Sequence, residues 1–283
     1  MTIRLQTGAS SYFSKPIIIL DPNLFEDNET IRPDVRNQIL EAFYGYMDYR
    51  YNNSRQWTMV WLAGSGISFQ WSANRGNGDL DVLFGIDYSR FVTDNPTYQF
   101  MDRHEIANEI TDDLRRNLWP RTAHTYIGLG EYEVTYFLNE NVEANHNSIV
   151  HIHPYAAYNL TKNEWTVKPP ILPDNPAELY PHEYYVQAEA NRQVAEALVS
   201  RYNALQQQGS MTAPNTPHAV NQSRSRALVV AEAQNLFDQL HTGRRRAFDM
   251  HGEGYGDFYN FQWQKAKEDG IINALNEIIN REN

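Results

Sequence analysis

Two carboxylates stand two residues apart in Asp79-Leu80-Asp81, and a Gly64-Ser65 pair precedes them across thirteen intervening residues. TMVWLAG (58–64) is a short apolar run ending at glycine, and DLDVLFGID (79–87) is a second; both read as strands. Side chains alternate along a strand, so Asp79 and Asp81 point to one side and Leu80 to the other. Two carboxylates on one face make a hard-oxygen site suited to Mg2+ or Mn2+. Gly64 permits close approach of backbone to a ligand. The Ser65 hydroxyl and nearby backbone N–H groups are donors for phosphate oxygens. A second metal would need a third carboxylate from another strand. The alternating, β-branched EYEVTYFLN (131–139) also reads as a strand, and its Glu131 and Glu133 share one face.

The order hG[GS], loop, Dh[DE]h resembles the nucleotidyltransferase superfamily that includes DNA polymerase β, CCA-adding enzymes, aminoglycoside nucleotidyltransferases and cyclic-dinucleotide synthases. Here it reads Ala63-Gly64-Ser65, loop, Asp79-Leu80-Asp81-Val82. Tyr132-Glu133-Val134-Thr135 looks like the family's third-acid segment, with Glu in place of Asp and a carboxylate one methylene further out. The loop sits at the long end of the family's range, and the resemblance covers about residues 58–140. It implies an α+β fold, a nucleotidyltransferase-type mixed sheet flanked by helices and followed by a mainly helical C-terminal domain. It further implies that Asp79, Asp81 and Glu133 bind Mg2+ (or Mn2+), that Gly64 and Ser65 hold the triphosphate of an NTP, and that a nucleoside monophosphate passes to a hydroxyl. The family's helical domain often supplies Lys or Arg to the triphosphate. Arg244, in the run Arg244-Arg245-Arg246, and Lys265, with Lys267, are the candidates.

The elements that must position these residues follow from pattern. Val35, Ile39, Leu40, Phe43 and Met47 predict a helix over 34–50. Residues 65–78, rich in Gly, Ser and Asn, read as turn or loop. A helix is expected over 100–118 with Pro120 as its stop. IVHIHPYAAYNL (149–160) and EWTVKP predict a hairpin around Thr161–Asn163, which puts His151 and His153 on one strand face. KPPILPDNPAELYP (168–181) contains five prolines and cannot be a continuous helix. The expected organisation is an α/β catalytic domain over 1–168 and a mainly helical domain over 169–283. The latter holds helices at 183–207 and 224–242 with a polar loop between them, and a final helix over about 257–280 capped by Asp257.

Bulk properties narrow the partners. The chain has 283 residues, 41 % apolar, no cysteine and a net charge of −11. The lack of cysteine excludes thiolate chemistry and Cys-ligated zinc. Phosphate contacts need Lys and Arg, so an acidic chain is poorly suited to a large duplex-binding surface. The acceptor classes that remain are a small molecule, a second nucleotide, a protein or a tRNA end. No apolar run has membrane-spanning length and no signal-peptide pattern opens the chain, so a cytoplasmic protein without membrane contact is expected.

Plainer readings stand beside these. Gly-Asp-Leu-Asp is also a turn followed by a strand start, and Asp87 a strand-end turn. The Arg run is also a solvated helix end. Two histidines fall short of the three or four ligands zinc takes. Phe258, Phe261 and Trp263 read as core, with a base-stacking platform as the alternative. Tyr155, Tyr158 and Trp165 are either a base sandwich or sheet packing. Two rival functions remain: a non-catalytic nucleotide-binding or assembly module, and a structural protein in which the motif is coincidental.

Overall fold

The computed structural model describes residues 2–8, 11–71, 78–153, 155–209, 216–248 and 252–281. The protein is α+β, with a six-stranded mixed sheet flanked by helices and a helical C-terminal region. Two compact units form: Ser11–Pro176, and Met1–Ser10 together with Ala177–Asn283. No helix among the described residues is long and apolar enough to cross a membrane.

In the sheet unit the chain runs α1 (Pro33–Arg50), α2 (Ser54–Trp57), β1 (Thr58–Ala63), β2 (Gly78–Ile86), α3 (Tyr88–Asp94), α4 (Arg103–Asn117), α5 (Trp119–Thr122), β3 (Thr125–Ile127), β4 (Gly130–Leu138), β5 (Ala157–Asn159) and β6 (Glu164–Val167). The strand order is β3-β4-β2-β1-β5-β6. Among the described residues β2 and β4 are the one parallel pair, and the other pairs are antiparallel. A parallel pair needs a long crossover, which α3, α4, α5 and β3 supply.

Alternation sorts the two faces. Val60, Leu62, Leu80, Val82, Phe84, Val134, Tyr136 and Leu138 form one core with Ile39 and Phe43 of α1 and Ile110 and Leu114 of α4. The opposite face is divided. Trp61, Ala63, Leu83 and Ala157 are covered by Val142 and Ile149 of the segment that follows β4. Its other half carries Asp79, Asp81, Glu133 and Thr135.

One buried carboxylate joins α1 to α4. Asp113 is 4 % exposed. It accepts hydrogen bonds from the Tyr46 hydroxyl at 2.8 Å, Arg50 Nε at 3.1 Å and Asn117 Nδ2 at 3.0 Å. Such bonding offsets the cost of removing the carboxylate from water.

The helical unit comprises α6 (His182–Gly209), α7 (Pro217–Ala247), α8 (Phe258–Glu268) and α9 (Ile271–Asn280). Leu198 and Tyr202 of α6, Val229 and Leu240 of α7, Trp263 of α8 and Leu275 of α9 share one core with Ile3. Asn203 clamps Ile3 by bonding both its backbone N–H and its carbonyl.

Several expectations are corrected. The final helix is two helices, broken at Gly270, whose φ of +74° suits glycine. A Cβ there would lie 1.9 Å from the Gln6 carbonyl oxygen, so the N-terminal segment also demands glycine. Residues 2–8 thus pack in the helical unit, although the sequence reading grouped them with the sheet. α7 starts at Pro217, inside the expected loop, because Thr216 caps it and proline suits the first helical turn; 210–215 lie outside the described residues. α4 ends at Asn117, ahead of Pro120 as expected, but Pro120 itself lies in a further single turn, α5. Residues 149–152 are turns and His153 has no regular structure, so His151 and His153 are not on a strand; the strand starts at Ala157. Asp87 caps α3, accepting from Arg90 N at 3.0 Å.

Burial, and next the Asp113 carboxylate, push the Tyr46 phenol up from 10.0 to about 12. A raised folded pKa gives stability that is complete below the unfolded value and lost as pH rises through the folded one. Urea titrations should therefore show unfolding free energy level to pH about 10 and falling towards about 12. Tyr46→Phe should cost about 1–2 kcal/mol at neutral pH and make the alkaline decline shallower. Identical declines in both proteins would refute the linkage.

Candidate functional site

The site begins with register. In the parallel pair, Asp79 of β2 is level with Glu133 of β4, and Asp81 with Thr135. In the β1–β2 hairpin, Ala63 is level with Asp81. Strand alternation then puts Asp79, Asp81, Glu133 and Thr135 on one face. Asp79 and Glu133 are exposed and Asp81 half-buried. Thr135 Oγ1 donates to Asp81 Oδ1 at 3.4 Å, a long bond that steers one carboxylate oxygen.

Gly64 closes the other side. It leaves β1 with φ +91° and ψ −168°, a region nearly exclusive to glycine. A Cβ on Gly64 would lie 3.1 Å from Asp81 Oδ2. The glycine bend therefore rests against the second aspartate. Ser65 follows in a 3-10 turn, Ser65–Ile67, whose first carbonyl accepts from Ser68 N–H and Ser68 Oγ. The structure thus gathers Gly64 and Asp81 by contact, Asp79 and Glu133 by register, and Ser65 by chain continuity. The loop residues 72–77 lie outside the described residues.

Beside Asp79, at the starts of β2 and β4, lies a cleft of about 240 Å³ lined by Asp21, Asn23, Trp71, Glu131 and Tyr132 among others. Ligand pockets usually measure roughly 300–1,000 Å³, so this volume suits part of a nucleotide. Its wall is rigid: Asp21, 2 % exposed, accepts from Tyr132 OH and from Asn23 N–H. Burial first, and then Asp21, push the Tyr132 phenol upward, so it remains a donor.

The donors match a hard divalent cation in type: carboxylate and hydroxyl oxygens on one face. Their closure is incomplete. Among the described residues no three His, Asp or Glu side chains converge tightly enough to hold a metal ion. Like charges 4 Å apart repel by about 4 kcal/mol at an effective dielectric of 20. Drawing Asp79, Asp81 and Glu133 around one ion therefore calls for side-chain rotation from a backbone already in register.

Two residues here had no role in the sequence reading. Asp21 lies far upstream, and nothing local marks it. His124 Nδ1 lies 2.7 Å from Glu131 Oε1, so Glu131, the alternative third acid, carries an imidazole partner. Recognising that pair requires the β3–β4 hairpin, and β3 has only three residues.

Lys265 and Arg244 belong to the helical unit. Lys265 Nζ is bonded to Glu268 and Asp269, and the Arg244 guanidinium lies 5.5 Å from the Trp263 ring centroid. Trp165 stacks on Phe25 and meets Tyr158 edge-on, so these rings pack on one another. Phe261 and Trp263 are core.

No family model, curated protein or solved structure matches the chain.

Gly64→Ala should cost about 1–3 kcal/mol, the range for a side chain forced into a sparsely populated backbone region. Urea unfolding checks this, and an unchanged midpoint would show that the bend does not need glycine.

Proposed function

We propose that this protein is a metal-dependent nucleotidyltransferase of the DNA polymerase β type. It transfers a nucleoside monophosphate from an NTP to a hydroxyl acceptor and releases pyrophosphate. One observation carries the reading: parallel pairing sets Glu133 level with Asp79, while the β1–β2 hairpin sets Ala63, the residue before the Gly64 bend, level with Asp81. The motif-bearing strands are neighbours, and the residues expected to act together share a side.

Asp79, Asp81 and Glu133 would hold Mg2+ or Mn2+. The metal, when bound, neutralises triphosphate charge and stabilises the leaving oxygens. Thr135 orients Asp81. Ser65 and the turn after Gly64 donate to phosphate oxygens. The rigid Asp21–Tyr132–Asn23 wall bounds the cleft beside Asp79. The net charge of −11 favours a small molecule, a second nucleotide, a protein or a short tRNA end over long RNA as acceptor.

A second reading, a nucleotide-binding module without chemistry, is favoured by the incomplete convergence of the carboxylates. Pyrophosphate release from ATP, GTP, CTP and UTP with Mg2+ or Mn2+ separates the two. The transferase reading expects release with at least one NTP. Asp81→Ala should lower it by at least about 100-fold, the scale of losing a transition-state electrostatic contact, and leave the melting temperature nearly unchanged. No release over hours, with a thermal shift on adding NTP and metal, would select the second reading. Full turnover by the variant would reject the metal-site assignment.

A further inference from the structure

The helical unit has a concavity of its own, bounded by α6, α7 and α8. Its volume is about 220 Å³, and the side chains lining it carry no charge. The floor is aliphatic, with Leu236 and Leu240 of α7 buried. One wall is aromatic: Phe258 and Tyr259 of α8, the latter 48 % exposed. The rest is amide.

The amides are ordered. Gln262 is only 4 % exposed. Its Nε2 donates to the Tyr184 carbonyl at 2.8 Å, and its Oε1 accepts from Asn191 Nδ2 at 3.0 Å. Gln187 Nε2 donates to Asn191 Oδ1 at 3.3 Å. The chain Gln187, Asn191, Gln262, Tyr184 thus sets which amide atoms face the cavity. Fixed amides over an apolar floor favour a ligand that is flat, apolar on its faces and polar at its edge.

A second, more open groove of about 480 Å³ continues along α7, and Gln239 and Tyr259 line both concavities. This groove adds a hydroxyl at Thr242, a carboxylate at Asp238 and a guanidinium at Arg246. An uncharged pocket with an aromatic wall therefore adjoins a groove that holds a carboxylate and a guanidinium. A nucleoside monophosphate has the same division. Its base stacks on aromatic rings and offers edges to Asn and Gln amides, its sugar hydroxyls donate to a carboxylate, and its phosphate pairs with arginine.

We propose that this pocket and groove form a nucleotide-binding site of the helical unit. The base lies against Tyr259 and Gln239, and the phosphate meets Arg246. The site is built from residues of the helical unit alone and does not rest on the transferase reading.

The test uses the full chain carrying Asp79→Asn and Asp81→Asn, without divalent metal, so that nucleotide held by the sheet unit does not count. Calorimetric titrations use AMP, GMP, CMP and UMP, the matching nucleosides, and inorganic phosphate. At least one monophosphate should saturate at one equivalent. Gln239→Ala with Tyr259→Ala should weaken it at least about tenfold, equal to about 1.4 kcal/mol. Arg246→Ala should weaken the monophosphate by about tenfold and leave the nucleoside unchanged. If the Asp double variant fails to fold by circular dichroism, the native chain in chelator takes its place. No saturable binding by any monophosphate at millimolar concentration, or binding indifferent to Gln239 and Tyr259, overturns the proposal.

Discussion

The parallel pairing of β2 with β4 is the constraint on which the sheet unit depends. It sets Asp79 beside Glu133 and Asp81 beside Thr135. Side-chain direction alternates with a period of two, so a slip of one residue would turn a strand's acids toward α1 and α4 and its Leu or Val residues toward water. The apolar set Leu80, Val82, Phe84, Val134, Tyr136 and Leu138 prevents that slip, because all six are buried in the main core. The register that places the carboxylates is thus enforced from behind by hydrophobic burial, which is the larger energy.

The same physics explains why the second face is divided. Burying an ionised carboxylate without full pairing costs several kcal/mol, so the acidic half stays accessible. The apolar half has the opposite need, and Val142 and Ile149 cover Trp61, Leu83 and Ala157. Asp113 shows the other solution to burying charge, since a tyrosine, an arginine and an asparagine surround it with donors. Asp79, Asp81 and Glu133 sit together on the half that Val142 and Ile149 leave uncovered.

Elements whose stability is local were legible in the sequence. The helix over Pro33–Arg50, both motif strands, the strand carrying Glu133 and the Asp257 cap follow from periodicity and capping chemistry. Elements decided by distant partners were not. Ile149, His151, Ile152 and His153 look like part of a strand, yet Ile149 and Ile152 are held in turns by packing on Trp61 and its neighbours. The break at Gly270 looks tolerable inside a helix until the Gln6 backbone is placed against it. Asp21 and His124 enter the site region only through Tyr132 and Glu131, residues of another strand.

What the amino-acid order settled by itself was parity: two aspartates two residues apart in a strand must share a side, and a glycine after an apolar strand can turn. Those facts need only covalent geometry and steric limits within a few residues. What the tertiary structure decided was adjacency. The choice of β4 as the neighbour of β2, the level at which Glu133 stands, and the contact between Gly64 and Asp81 arise from long-range hydrogen bonding and from core packing. Those terms link residues dozens of positions apart, so no local window of sequence contains them.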